Sequence, residues 1–149
     1  HTLSEDDKEF MTKAAQGGML EVALGREAAQ KATSPDVKAF GTRMVTDHTK
    51  AGDELKLLSA QKGVILPTQL DKDHQSKIDE MSRLSGAKLD KEYADDMVDD
   101  HEEDVKEFKK ASQDVKDPDL RAWAAKTLPV LESHLAMAKD VEAKVKHAK

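Results

Sequence analysis

The chain has no cysteine, so a disulfide framework, a cysteine-ligated zinc site and a thiol nucleophile are all excluded. It also has few aromatic residues (3 %), seven glycines and four prolines among its 149 residues. This composition, rich in Ala, Lys, Leu, Glu and Asp, is typical of long helices rather than of sheets. We therefore expect an all-α fold, built as a single domain over residues 1–149.

Long apolar runs and an excess of positive charge are missing as well. No stretch approaches the roughly 18 to 20 apolar residues that a membrane-spanning helix needs. The chain has 24 Lys and Arg against 30 Asp and Glu, a formal net charge of −6, and the two signs alternate along it. This pattern argues against a transmembrane segment and against nucleic-acid binding, and it identifies no protein partner.

The chain begins with His1 rather than with Met. We expect that it has been processed or trimmed. The removal of a signal peptide and a boundary chosen in cloning would each produce such a start.

Capping residues divide the chain into helices. Ser4, followed by three acidic residues, predicts a first helix from about residue 5 to about residue 32. Ser34 and Pro35 predict the start of a second helix that runs to about Gly63, and Asp117 with Pro118 repeats this signal before the last helix. Each helix carries an apolar stripe at alternating steps of three and four residues, which is the pattern of a helical bundle.

The segment between residues 63 and 86 connects the second long helix to the third. Pro67 breaks the helical pattern, after which Ile78, Met81 and Leu84 predict one short amphipathic helix. The third long helix should begin near Asp90. The expected fold is thus a ferritin-like four-helix bundle with a short extra helix in this connection, which is either a tight return or a long crossover.

One pentapeptide occurs twice, as Met44-Val45-Thr46-Asp47-His48 and as Met97-Val98-Asp99-Asp100-His101. Each copy places its histidine on the apolar stripe of a long helix. The other two long helices also carry one polar residue on the stripe, Glu21 in the first and His134 in the last. Each long helix therefore directs one side chain able to bind a metal into the core.

These four residues fall at matching heights. Glu21 lies 13 residues before Ser34 and His48 lies 14 after it, while His101 lies 16 before Asp117 and His134 lies 17 after it. At a rise of about 1.5 Å per residue, the two members of each hairpin differ in height by only about 1.5 Å. The pattern predicts a site for one divalent metal ion, best suited to zinc and less distinctly to iron, manganese or copper.

Neighbouring acids extend this hypothesis. Asp104, one turn beyond His101, is a candidate fifth ligand or the start of a second metal position. Asp47 and Asp100 point away from the stripes and are either solvated surface acids or partners that hold the second ring nitrogen of a ligand. A two-metal bundle site needs about four carboxylates, so we expect one ion. His74 and His147 lie outside the layer and receive no role.

Alternatives remain open at this point. A single interior histidine is more often a hydrogen-bonded core residue than a ligand, and the four residues could form a metal-free polar cluster. A metal site could serve a structural, storage or sensing role, or it could belong to a redox or hydrolytic enzyme. A metal-free structural or stress-related envelope protein is the third possibility.

Gly17, Gly18 and Gly25 leave room for a small ligand or permit close helix packing, and we favour packing.

Several of these motifs occur in an order that resembles one bacterial family over about residues 8 to 141. They are Glu21, the two pentapeptides, Gly63-Val-Ile-Leu-Pro67, Leu84-Ser-Gly-Ala-Lys-Leu-Asp90, Tyr93 and Leu128-Pro-x-Leu-x-x-His134-Leu. In this order the chain resembles the exported "domain of unknown function four-one-four-two" proteins, often labelled predicted outer-membrane proteins. The resemblance implies a ferritin-like bundle sent to the periplasm or beyond, and it implies no established reaction.

The chain departs from the di-iron ferritin pattern, in which two helices each carry Glu-x-x-His. The residues three before the histidines are Val45, Val98 and Leu131. A ferroxidase or di-iron oxidase is therefore not favoured.

Overall fold

The computed structural model describes residues 3–146, so His147, which received no role above, lies outside it. Over the described residues the chain is all-α, with five helices and no strand, which confirms the predicted class. The helices are α1 (Glu5–Lys31), α2 (Pro35–Lys62), α3 (Lys72–Ser82), α4 (Gly86–Asp114) and α5 (Pro118–Lys146). Within this range no helix combines the length and the apolar character needed to cross a membrane.

The helices begin and end where the local chemistry favours it. The side chain of Ser4 accepts the backbone N–H of Asp7 at the start of α1, and Ser34 does the same for Val37 in α2. Gly63 adopts the left-handed conformation (φ 68°) that ends α2, a conformation that glycine adopts without steric cost. The Pro67 break and the short helix that follows it are both present.

The four long helices pack as two antiparallel pairs, α1 with α2 and α4 with α5, and further contacts join α2 to α5 and α1 to α4. One apolar cluster, which includes Ala32, Val37 and Leu89, lies at the end where α2 and α4 begin. A second cluster, which includes Leu55 and Val115, lies at the opposite end. Because α2 and α4 both run from the first cluster to the second, the connection between them is a long crossover that carries α3 along α1 and α4.

Helix α4 begins at Gly86, four residues earlier than the predicted start near Asp90. Asp90 lies inside the helix and does not cap it. Its carboxylate accepts the backbone N–H groups of Thr33 and Ser34, both at 2.9 Å, in the turn between α1 and α2. Asp90 is almost fully buried, so it holds the start of α2 from across the core.

Asp7 makes the same interaction at the other end of the molecule. Its two carboxylate oxygens accept the backbone N–H groups of Lys116 (3.2 Å) and Asp117 (2.9 Å), in the turn between α4 and α5. Asp7 is also buried. Each helical pair therefore supplies the carboxylate that satisfies the turn of the other pair, and we call these two contacts the reciprocal aspartate clamps.

Asp90→Ala should lower the free energy of unfolding by about 2 kcal/mol, because two backbone N–H groups lose a charged acceptor in a poorly solvated position. Urea denaturation followed by circular dichroism measures the change. Asp99→Ala, which removes an exposed carboxylate from the same helix, serves as the matched control and should stay within about 0.5 kcal/mol of wild type. Equal effects of the two substitutions would show that the clamp contributes no stability.

Glycines set the spacing between α1 and α2. A Cβ built at Gly25 would lie 2.7 Å from the backbone oxygen of Gly41, and one at Gly41 would lie 2.6 Å from that of Gly25. The two helices thus cross with their backbones in direct contact, as expected for Gly25. The packing prediction is wrong for Gly17 and Gly18, where an added Cβ would meet nothing within 4 Å.

Candidate metal centre

Three histidines from three different helices meet in the core. His48 lies on α2, His101 on α4 and His134 on α5, and all three are buried. Each can offer one ring nitrogen such that the three nitrogens lie within 4.8 Å of one another. The ring centroids are 5.3 to 5.7 Å apart, so the rings form a nearly equal-sided triangle. The structure brings together the histidines of the predicted site.

Hydrogen bonds determine which nitrogens of two of these rings carry a free lone pair. Nδ1 of His101 donates to the carbonyl oxygen of Met97 (2.8 Å), and Nε2 of His134 donates to Oδ2 of Asp47 (2.7 Å). A carbonyl and an ionised carboxylate only accept, so these nitrogens carry the protons. The lone pairs belong to Nε2 of His101 and Nδ1 of His134. Both atoms are buried without a hydrogen-bond partner, as is Nε2 of His48.

Burial keeps these imidazoles uncharged. It lowers the pKa of His48 to about 3, with a smaller contribution from His101 and His134, and it lowers the pKa of His101 to about 4. Burial also lowers the pKa of His134, against the opposing effect of Asp47. A neutral imidazole is the form that binds metal ions, and a buried acceptor without a partner costs roughly 1–3 kcal/mol. A shared cation would therefore fit these residues.

Glu21 of α1 lies beside the three histidines and not among them. Its Oε2 is 3.7 Å from Nδ1 of His101, the nitrogen that donates to Met97. Over residues 3–146, one group of possible ligand atoms lies within 4.8 Å of one another. It contains the three histidines and does not include Glu21. The structure thus assembles three of the four predicted ligands, and a ligand role for Glu21 stays a prediction.

Two carboxyl groups on α4 lie near Glu21 and affect its pKa. Burial raises the pKa of Glu21 well above its usual range, and the nearby charges of Asp100 and Asp104 add to this effect. Burial also raises the pKa of Asp100, and Oε2 of Glu21 is buried without a hydrogen-bond partner among the described residues. Asp100 thus lies near Glu21, and the two alternatives given for it, a solvated surface acid or a partner of a ligand histidine, stay predictions. Asp104 is half-buried and outside the histidine group, and burial raises its pKa to about 7.

Asp47 occupies the position predicted for a residue that orients a ligand. It lies on α2 and accepts from His134 on the neighbouring α5, and Nε of Arg43 donates to the same oxygen at 2.8 Å. Burial acts to raise the pKa of Asp47, but the hydrogen bonds from His134 and Arg43 outweigh it and lower the pKa. Carboxylates placed in this way fix the ring orientation and the tautomer of metal-binding histidines.

Comparison with known proteins shows the family. A family model described as Domain of unknown function (DUF4142) matches residues 1–141. The chain belongs to this family. The resemblance inferred from the ordered motifs is thereby confirmed.

The DUF4142 chain is also similar in fold to a solved structure, the crystal structure of a DUF305 fragment from Deinococcus radiodurans. The TM-score is 0.83 at 10 % sequence identity, with 97 % of this chain and 99 % of that chain covered. At this identity the likeness concerns the fold alone. No protein with curated annotation matches the chain at a significant level of sequence similarity.

A cavity of about 750 Å³ adjoins the histidines of this DUF4142 protein. His48 lines one end of it. Leu131, Thr127 and Trp123 also line it and follow one another at intervals of about one turn along α5, leading away from His134. The cavity therefore extends from the histidine layer into the half of the molecule that contains the second apolar cluster.

Sequence analysis missed two features of the DUF4142 site. The Arg43–Asp47 pair could have been found, because a spacing of four residues places the two side chains on the same face of a helix. The cavity could not, because it depends on the spacing between helices. The backbones of α1 and α2 touch at Gly25 and Gly41, whereas Gly17 and Gly18 line open space.

Proposed function

We propose that this protein is an exported metal-binding protein in which His48, His101 and His134 hold one divalent ion. The observation that carries the proposal is the meeting of three buried histidines, each of which can offer a ring nitrogen within 4.8 Å of the others and each of which has one buried ring nitrogen without a hydrogen-bond partner among the described residues. A metal-free polar cluster would need donors for these nitrogens, and the cluster does not supply them. Zinc suits a nitrogen-rich site of this kind best, ahead of iron, manganese and copper.

The surrounding architecture is proposed to be a ferritin-like four-helix bundle formed by α1, α2, α4 and α5, with α3 as the extra helix in the crossover. In this arrangement Asp47 orients His134, and the carbonyl of Met97 orients His101. Glu21 is the fourth protein ligand if its carboxyl turns from Asp100 toward the ion. Export to the periplasm or beyond is proposed from the family resemblance and agrees with the absence of cysteine.

The role that we favour is structural, storage or sensing, because an ion held by three histidines does not by itself provide turnover. One observation supports a second candidate, a redox or hydrolytic metalloenzyme: the cavity that reaches His48. A bound ion there would supply a Lewis acid with a position open to a further ligand. The two candidates share their ligands and differ in whether the fourth position belongs to Glu21 or to a molecule in the cavity.

Zinc should bind with a stoichiometry of about one ion per chain, because the described residues contain one group with suitable geometry. Calorimetric titration of metal-free protein measures this value, and elemental analysis of protein purified without added metal identifies the native ion. His134→Ala should weaken binding by roughly 100-fold or more, since a lost ligand costs at least as much as a lost supporting residue. Asp104→Asn should weaken binding only modestly.

His74→Ala is the matched control, because it removes an imidazole that lies outside the cluster. It should leave the affinity unchanged. Two tight equivalents of zinc, with Asp104→Asn abolishing one of them, would overturn the single-ion proposal in favour of a two-metal site.

A further inference from the structure

The cavity beside the histidines is lined by His48 and by a group of apolar side chains. Leu55, Leu131, Phe108 and Trp123 belong to this group. Its volume of about 750 Å³ is within the range of small-molecule sites. An occupant that fits this shape has a single polar head and an apolar tail.

Backbone geometry gives the cavity its width. Gly17 and Gly18 line it, and a Cβ added to either would meet no atom within 4 Å. A third glycine, Gly52, lies on the facing helix and has the same free space. The room is therefore present without movement of any side chain, and a larger residue at one of these positions would fill it.

Charge selects the head group. Three neutral imidazoles contribute no negative charge to a divalent ion, Asp47 supplies one negative charge through its hydrogen bond to His134, and Glu21 lies outside the group of ligand atoms. A charge buried in an apolar core needs a counter-charge. An anionic head that reaches the ion would supply it.

The charged side chains that line the cavity do not select for one sign of charge. Lys13, Arg26 and Lys56 line it together with Asp53, Asp104 and Glu107, so both signs are present. Selection for an anion thus occurs at the histidine end, where the ion would be, and the walls select for an apolar tail.

We propose, on the basis of the metal site proposed above, that the cavity binds an aliphatic monocarboxylate. Its carboxylate approaches the ion beside His48, and its alkyl chain lies along Leu55, Phe108 and Trp123. Binding involves coordination of the carboxylate to the ion and no covalent chemistry. The ligand completes the coordination that the three histidines leave open.

Trp123 provides the readout, because it is the single tryptophan of the chain and lines the cavity. Octanoate is titrated into metal-free and zinc-loaded protein while tryptophan fluorescence is followed. Octanoate should bind the zinc-loaded protein at least tenfold more tightly than the metal-free protein, whereas 1-octanol, which lacks the charge, should bind both forms equally. From butanoate to octanoate, affinity should rise roughly fourfold per methylene, the factor for burying one CH₂ group.

Gly17→Leu should weaken octanoate binding at least tenfold and leave zinc affinity, measured without octanoate, unchanged. Ala39→Leu, an equally large addition to an exposed helix face, is the matched control and should change neither. If zinc binds but octanoate binds equally with and without it, or does not alter the fluorescence, the carboxylate site is refuted and the metal site stands. If zinc does not bind, both proposals are refuted.

Discussion

Zinc added to the metal-free protein should raise its melting temperature by about 10 °C when free zinc is about 1,000 times its dissociation constant. Binding to the folded state alone contributes about 4 kcal/mol at that ratio, and a chain of this size gains roughly 2–4 °C per kcal/mol. The physical basis is the set of three buried nitrogens without partners, which only the folded chain brings together. Differential scanning calorimetry measures the increment.

The increment should vanish in His101→Ala, which removes the most deeply buried of the three rings. The comparison concerns the difference made by zinc in each variant, so the loss of packing in His101→Ala does not affect it. His74→Ala should retain the full increment, because its ring lies outside the cluster. An undiminished increment in His101→Ala would refute the assignment of the ligands.

The zinc increment should also persist at acidic pH. An ordinary imidazole takes up a proton near pH 6.5, but burial lowers the pKa of His48 to about 3 and of His101 to about 4 in the folded protein. Protons therefore begin to compete with zinc for these two rings only as the pH approaches these values, and burial lowers the pKa of His134 as well. The increment should stay nearly constant from pH 8 to about pH 5 and be lost below. If the zinc increment were instead lost around pH 6.5, the histidines would be more exposed to solvent than they are in this structure.

Gly41→Ala should lower the free energy of unfolding by about 3 kcal/mol, at the upper end for an overpacked core. The added methyl group would lie 2.6 Å from the backbone oxygen of Gly25 and 3.0 Å from the backbone nitrogen of Ala29. Backbone atoms cannot rotate away as a side chain can, so the two helices must move apart. Urea denaturation measures the loss.

Gly52→Ala is the matched control on the same helix. An added methyl group there meets nothing within 4 Å, and alanine favours a helix interior over glycine by about 1 kcal/mol. This variant should therefore be more stable than wild type. If both substitutions stabilised the protein, the close crossing of α1 and α2 would be incorrect.

Much of the fold could be predicted from local chemistry. Ser4, Ser34 and Gly63 mark helix ends because their caps depend only on residues within a few positions. The three histidines could be placed in one layer because the rise of a helix converts sequence separation into height. Asp90 shows where this reasoning fails, since its partners are backbone groups more than fifty residues away.

The candidate metal site also has features that depend on one helix and features that depend on two. Spacing along each helix could bring Glu21 to the height of the histidines, but it could not tell which neighbour the carboxyl would contact. That outcome depends on the rotation of α1 against α4, which places Glu21 against Asp100. The cavity depends likewise on the angle between α1 and α2. Features that a single helix determines were predictable, and features that the relative placement of two helices determines were not.

The long crossover bears on the evolutionary origin of the repeated pentapeptide. Because α1 with α2 and α4 with α5 form similar hairpins, duplication of an ancestral hairpin would place the second copy of the α2 motif in α5, around His134. The second copy lies in α4 instead. The segment of α5 that ends at its histidine has a different sequence, Val130-Leu131-Glu132-Ser133-His134. What α2 and α4 share is direction, since the crossover makes them parallel and turns the same helical face of each toward one core. The repeated pentapeptide therefore marks the two helices that run in the same direction, and not the equivalent helices of two hairpins.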